Sequence, residues 1–189
     1  MMQTEKVYIA MNKPVGYICS YVSDSHKTVY ELLTRELRSL MTNRRGRRLH
    51  TIGRLDCETS GLLLFTTDGY FSNYLTRSKN HIEKTYEVVL KNAVSPEAQN
   101  DYAASFKNGV ILPPDRKFPE QPADPAEIEF LSENRCRVKI TEGKFHQVRR
   151  MFLAVGNEVA ELKRICIGNF TLPENLKEGE YVDFCPEQI

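Results

Sequence analysis

The hydrophobic and polar positions of this chain change period several times, and each change marks an element. Residues 7–11 form a short apolar stretch that reads as a strand, and Asn12-Lys13-Pro14-Val15-Gly16 ends it with proline and glycine punctuation. Thr28-Val29-Tyr30-Glu31 has the form of a capping box, with Thr28 as N-cap and Glu31 three residues on. Val29, Leu32, Leu33, Leu37 and Leu40 follow at helical spacing, so the pattern predicts one helix over 29–40. The chain then passes into Thr42-Asn43-Arg44-Arg45-Gly46-Arg47-Arg48, too polar and glycine-interrupted for a core, and read as an exposed basic loop. Residues 62–65 are a continuous apolar run, read as a buried strand; Asp68-Gly69 turns the chain, and 70–77 reads as a short helix.

In the second half, residues 84–90 alternate, with Tyr86, Val88 and Leu90 on one face, the period of a strand. Ser95-Pro96-Glu97 is a helix start with proline at the first helical position, and Gly109 a plausible stop. Pro113, Pro114, Pro119, Pro122 and Pro125 make 111–126 a long extended connection and the candidate flexible arm. Residues 135–141 read as another strand, with Cys136, Val138 and Ile140 on one face. Over 143–155, Val148, Phe152 and Val155 share a helical stripe, and Gly156 is placed as its C-terminal cap. Strands and helices mix without the regular alternation of a doubly wound sheet. The expected class is therefore α+β with a mixed, largely antiparallel sheet.

Length and composition narrow the setting. A chain of 189 residues fits a single domain spanning 1–189, or two α+β sub-lobes with the proline-rich connection at 111–126. With 41% hydrophobic and 27% charged residues it reads as an ordinary soluble protein. It has no apolar run long enough to cross a membrane and no signal-peptide core at its N-terminus. The formal net charge of +1 says little, but its distribution says more. Arg38, Arg44, Arg45, Arg47 and Arg48 lie between Arg35 and Arg54 against the single acid Glu36, while Glu174, Glu178, Glu180, Asp183 and Glu187 crowd the C-terminal end. One face of such a dipolar surface suits a polyanion, although a solvated charged face is the commoner origin of such runs. The five scattered cysteines and four histidines show neither a disulfide framework nor metal-ligand spacing, which fits a reducing cytoplasm.

The candidate chemistry sits in two runs. Gly53-Arg54-Leu55-Asp56 places an acid beside an arginine at the mouth of an apolar run. A carboxylate held at the edge of a core next to a fixed cation stays ionised and aimed, as a nucleophile or base must be. The alternative is a turn with a surface ion pair. Glu142-Gly143-Lys144-Phe145-His146-Gln147-Val148-Arg149-Arg150-Met151 gathers cations and a histidine just after a strand, which suggests an anion site at a helix N-terminal end. Lys144, His146 and one of the two arginines should face outward, and either Arg149 or Arg150 could reach a buried carboxylate. No Gly-x-Gly-x-x-Gly and no Walker-type loop is present, so a nucleotide cofactor has no support.

Together these runs resemble a known family. Lys13-Pro14-x-Gly16, Gly53-Arg54-Leu55-Asp56 with Thr59-Ser60-Gly61-Leu62-Leu63, Lys84-x-Tyr86, Glu142-Gly-x-x-His146-Gln-Val-Arg149-Arg150-Met151 and Leu162-x-Arg164-x-x-Ile167-Gly168 are similar to the ordered motifs of bacterial ribosomal RNA pseudouridine synthases. The doubled Arg149-Arg150 and the Glu83-Lys84-Thr85-Tyr86 stretch look most like the branch that modifies one uridine of small-subunit RNA; the large-subunit branch is the near alternative. The resemblance implies a largely antiparallel central sheet flanked by helices, with a central RNA-binding cleft. It implies isomerisation of uridine on a flipped-out nucleotide, without cofactor or metal. Asp56 is the implied catalytic carboxylate, Arg149 its salt-bridge partner, and Tyr86 the aromatic that stacks on the target base. Arg54 would fill the gap left by the flipped base and Leu162 would line the uracil pocket. Lys13, Lys84, His146, Arg150 and Arg164 complete the implied substrate contacts, Lys13 and Lys84 as structural or phosphate-contacting groups. The Lys-Pro-x-Gly motif begins at Lys13, so the small S4-type RNA-binding domain that precedes it in many members is not expected. RNA-backbone contacts are expected instead from Arg44, Arg45, Arg47, Arg48 and Lys144, with the arm at 111–126 as a second contact. The expected partner is ribosomal RNA or a subunit assembly intermediate in the cytoplasm, met by a monomer with no obligate protein partner. A non-catalytic RNA-binding assembly protein is the competing class, although mere binding has no use for an aimed carboxylate.

Overall fold

The structure, a computed structural model, describes residues 6–42 and 47–189. Arg44 and Arg45 of the expected basic loop lie outside the described residues. In chain order the strands are β1 (Tyr8–Lys13), β2 (Tyr17–Ile18), β3 (Lys27–Thr28), β4 (His50–Ile52), β5 (Thr59–Thr66), β6 (Lys84–Leu90), β7 (Ile111–Leu112), β8 (Gln121–Pro122), β9 (Glu127–Ser132), β10 (Arg135–Ile140), β11 (Val159–Ile167), β12 (Phe170–Thr171) and β13 (Tyr181–Asp183). The α-helices are α1 (Arg35–Ser39), α2 (Gly69–Thr76), α3 (Pro96–Asn108) and α4 (Gln147–Ala154). The class is α+β with mostly antiparallel pairing, as the sequence predicts; the short β2–β3 pair is parallel. The chain divides into two compact units, one running to Asn80 and resuming at Ile167–Ile189, the other His81–Cys166.

In the first unit β1 is flanked by β13 and β5, both antiparallel, and β4 pairs antiparallel with β5. β5 is buried along its whole length, and Leu62, Leu63, Leu64 and Phe65 are fully inaccessible to solvent. Each such side chain contributes about 1.5–3 kcal/mol on burial, which makes β5 the anchor of this unit. Tyr30 meets Phe65 edge-on at 5.6 Å and Tyr21 stacks on Tyr30 at 4.7 Å. The helix expected over 29–40 is broken. Val29–Leu32 is a 3-10 turn; Leu33 is extended, and Thr34 opens α1 by accepting a hydrogen bond from the Leu37 amide at 3.5 Å. The capping box at Thr28 and Glu31 is present, but Thr34 acts as a second cap that interrupts the stripe.

In the second unit the strand order is β11-β6-β10-β9. Tyr86, Val88 and Leu90 of β6 are buried, and they pair with Val138, Cys136 and the segment beyond Arg135 on β10. On β10, Cys136, Val138 and Ile140 are buried while Arg135, Arg137 and Lys139 are exposed, the predicted alternation. Burial pushes the Cys136 thiol up to about 12. α3 opens on Ser95 and Pro96 and closes at Gly109, whose φ of 79° only glycine adopts freely; a Cβ there would also lie 2.7 Å from the Ala123 carbonyl oxygen. Phe106 of α3 and Phe152 of α4 meet at 5.1 Å, and Tyr102 packs against Phe130 and Phe152.

The proline-rich stretch differs from the expected extended connection. β7 and β8 pair antiparallel, and Asp115 and Phe118 exchange backbone hydrogen bonds at 2.9 Å, so the stretch folds back as a hairpin inside the second unit. What closes it is Arg150. Its Nε donates to the Pro113 carbonyl, its two terminal nitrogens to the carbonyls of Phe145, Leu112 and Pro119. Prolines supply carbonyls without amides, and a planar five-donor guanidinium satisfies several of them at once.

Candidate active site

In the first unit two of the conspicuous motifs converge. Lys13 ends β1 opposite Gly61 of β5, so its side chain lies under the loop that carries Asp56. Lys13 is fully buried, and its Nζ donates to the carbonyls of Thr59 (2.7 Å), Pro14 (3.0 Å), Asp56 (3.1 Å) and Cys57 (3.5 Å). The Gly16 amide adds a bond to the Cys57 carbonyl at 2.8 Å, and the Thr59 amide closes the turn on the Asp56 carbonyl at 3.1 Å. Gly53, with φ of 69°, lets the chain leave β4 in the left-handed region, and Leu55 is buried as the loop's apolar foot. The outcome is a half-buried Asp56 on a backbone fixed from below by an ammonium and from the side by a glycine amide, with Arg54 exposed beside it. A phosphate contact by Lys13 is corrected by this geometry: a cation with no solvent exposure, engaged by backbone carbonyls, cannot meet a phosphate, and it positions the Asp56 loop instead.

The second unit carries Tyr86, Arg149 and Leu162, with Lys84, Lys144, Arg150 and Arg164. Tyr86 is buried on β6, and Leu162 and Arg164 are buried on β11, the strand next to β6. Lys84 Nζ donates to the Ile82 carbonyl at 2.8 Å and approaches that of Thr141 at 3.5 Å. Burial lowers its ammonium to about 8, with the Arg164 charge adding to the fall and Glu142 opposing it.

α4 begins at Gln147, four residues later than the stripe suggests. His146 precedes it in the left-handed region, φ 47°, and gives the helix no side-chain cap; the Gln147 side chain instead accepts from the Lys144 amide at 2.9 Å. Glu142 is the hub of this turn. Its buried carboxylate accepts from the Asp124 amide at 2.9 Å and from Gln147 Nε2 at 2.5 Å, and it pairs with Lys144 Nζ. Lys144 is thus tied within the unit. His146 Nδ1 lies 2.7 Å from Asp115 Oδ2, and its ring continues a stack with Phe145 and Phe118.

The two adjacent arginines separate. Arg149 is partly exposed and its NH1 donates to the Val159 carbonyl at 3.2 Å. Arg150 is fully buried with its donors on four carbonyls, so the substrate contact expected of it is corrected to a structural one. Of the described basic loop, Arg48 is exposed and Arg47 half-buried. Sequence reasoning missed Glu142 as a hub and Asp115 as the partner of His146; the spacing Glu142-Gly-x-x-His146-Gln147 was their only trace. Among the described residues no group of three or more His, Cys, Asp or Glu side chains gathers as a metal site requires. No helix among them is long and apolar enough to cross a membrane.

Comparison with known proteins supplies the chemistry this arrangement serves. Residues 7–154 match the profile of the RNA pseudouridylate synthase family. The chain is 41% identical over 182 residues to ribosomal small subunit pseudouridine synthase A of Salmonella typhimurium, covering 96% of this chain and 72% of that protein. It is 38% identical over 185 residues to the protein of the same name from Haemophilus influenzae, covering 98% and 73%. Among solved structures, a crystal structure of a pseudouridylate synthase superposes with a TM-score of 0.83 at 38% identity, covering 97% of this chain and 72% of that one. The archaeal box H/ACA Nop10–Cbf5 complex matches at a TM-score of 0.60 and 21% identity over 92% of this chain and 51% of that one, a likeness of fold alone.

Proposed function

The chain belongs to the RNA pseudouridylate synthase family, and from that membership we propose that it converts one uridine of small-subunit ribosomal RNA to pseudouridine. The reaction is an isomerisation. The N1–C1′ bond breaks, the uracil turns, C5 bonds to C1′, and the proton lost from C5 is balanced by one gained at N1. No electron or external group is exchanged.

Asp56 is assigned as the catalytic carboxylate, whether it attacks C1′ or removes a sugar proton; both routes need it ionised and aimed. Its backbone anchorage by Lys13 and Gly16 is the observation that carries the assignment, since a surface ion pair needs no such fixing. Tyr86 stacks on the extruded base and returns about 1–3 kcal/mol of the unstacking cost. Arg149 is assigned as the cation of this chemistry, Leu162 as a residue of the uracil pocket, and Arg54 as the one that occupies the gap in the RNA. Arg164, Lys84 and His146 complete the substrate contacts, and the Arg44–Arg48 loop supplies salt-dependent RNA affinity. The substrate is naked ribosomal RNA or an assembly intermediate, met in the cytoplasm by a monomer.

The test is Asp56→Asn. Tritium release from RNA labelled at uridine C5 should vanish while RNA affinity stays within a fewfold of the parent. A variant that isomerises as fast as the parent removes Asp56 from the chemistry.

A further inference from the structure

α2 presents an outer face that neither the fold nor the assigned site uses. Its inner face is satisfied: Leu75 is buried and Phe71 meets Tyr8 edge-on at 5.4 Å. Its start is fixed by Asp68, whose Oδ1 accepts from the amides of Tyr70 and Phe71. On the outside stand Tyr70, 91% exposed, and Tyr74, 55% exposed. They are four residues apart, hence on one side of the helix and about 6 Å apart along its axis. Arg77, exposed, ends the helix, and Lys79, also exposed, follows in the Ser78–Asn80 turn, which Asn80 ties back by donating to the Tyr74 carbonyl at 2.7 Å.

The position of this face gives it meaning. A Cβ built on Gly53 would lie 3.8 Å from Thr76 Cγ2, so the last turn of α2 abuts the first residue of the Asp56 loop. Exposed Arg54 is the next residue along. The first unit therefore carries two exposed aromatic rings and two exposed cations on a helix whose last turn, through Thr76 on the side away from Tyr74, adjoins the catalytic loop. A lone exposed tyrosine calls for no explanation. Two at helical spacing, followed by cations beside such a loop, match the chemistry that holds unpaired nucleotides: rings for bases, cations for phosphates.

We propose that Tyr70, Tyr74, Arg77 and Lys79 form a docking strip for the single-stranded RNA that flanks the target uridine. The tyrosines stack on flanking bases without reading their sequence, because every base has a π-face. The cations neutralise the adjoining phosphates. The strip deepens the proposed function and rests on it.

The experiment follows isomerisation of transcribed small-subunit RNA fragments labelled at uridine C5. Tyr70→Ala and Tyr74→Ala should each raise KM about tenfold, the equivalent of about 1.4 kcal/mol, with kcat within twofold of the parent and an unchanged salt slope. Tyr70→Phe and Tyr74→Phe should restore the parent KM, since stacking needs the ring and not the hydroxyl. Arg77→Gln and Lys79→Gln should each make the log-affinity against log-salt slope shallower by about 0.7. Trimming the flanking single strand should bring parent and alanine variants together. An active parent whose double alanine variant keeps its KM overturns the strip. So does a defect seen only on ribonucleoprotein and not on naked RNA, which would mark a protein-docking face. A parent inactive on every fragment, both alone and assembled with small-subunit proteins, counts against the proposed function itself.

Discussion

Replacing Lys13 with Met removes an ammonium and keeps most of the length and shape of its stem. The wild-type Nζ has three hydrogens and four carbonyl neighbours, two of which, Asp56 and Thr59, bracket the turn that carries the carboxylate. With no solvent at this site, the Thr59 carbonyl loses its ammonium donor and the Asp56 carbonyl keeps only the Thr59 amide, each charge-assisted bond lost costing about 1.5–3 kcal/mol. Release of a buried ammonium from its desolvation penalty offsets part of that loss, so the net destabilisation should be about 2–4 kcal/mol. For a chain of this size that is a fall in Tm of about 4–16 °C, small enough to leave the variant folded at 25 °C if the parent has ordinary stability. The loop is what suffers. A displacement of the reacting group by about 1 Å lowers the rate roughly 100-fold, so kcat should fall about 100-fold while KM changes less than twofold. Urea denaturation and tritium release at saturating RNA measure the two halves. The reasoning fails if kcat survives while KM rises and the salt slope becomes shallower by about 0.9, the signature of a lost phosphate contact.

Arg150→Met should cost about 3–6 kcal/mol, counting only its two 2.7 Å bonds, to Pro113 and Pro119, as charge-assisted; the urea midpoint should drop and the Ala123 amide lose exchange protection, whereas a substrate role would raise KM at an unchanged midpoint. Burial lowers Lys84 from 10.5 to about 8, so between those values the unfolded chain holds a proton the folded chain has released, and stability rises with pH. Wild type should therefore gain on Lys84→Met as pH climbs from 8 to 10.5, and parallel urea midpoints would contradict it. Burial raises the Asp68 carboxyl, but the Lys6, Tyr8 and Phe71 donors outweigh it and bring it from 3.8 to about 2. Its stabilisation is present above 3.8 and lost as pH falls through 2, so the advantage of wild type over Asp68→Asn, which keeps a good N-cap, should close across that window.

Local periodicity made much of this fold legible before any coordinates. β5, β6, β10 and α3 follow from apolar runs, alternation and a proline-led cap, because those signals report burial directly. The failures came where a tertiary contact overrode the local signal. The stripe from Val29 to Leu40 has helical spacing, yet Thr34 starts a new helix inside it. Five prolines argued for an extended arm, because the donor that folds it lies 31 residues away from Pro119, on α4. The order of the conspicuous motifs points to the family without requiring any of those elements to be right.

The residues least legible were the cations, for a physical reason. A protein that handles a polyanion has a use for positive charge on its surface, so every lysine or arginine near a motif invites a phosphate. The same charge, buried, is also an effective way to gather backbone carbonyls that no amide can reach. Lys13 and Arg150 do the second job: each is inaccessible, and each holds a segment by four of its neighbouring carbonyls. Arg149, one residue from Arg150, is partly exposed and donates to the Val159 carbonyl. Composition sees two identical arginines, and helical phase does not choose between them in favour of Arg150: at about 100° per residue it lies farther from the middle of the apolar stripe of Val148, Met151 and Phe152 than Arg149 does. Two positions from Val148, Arg150 faces away from that stripe, and what buries it is the proline-rich hairpin, whose carbonyls accept its donors.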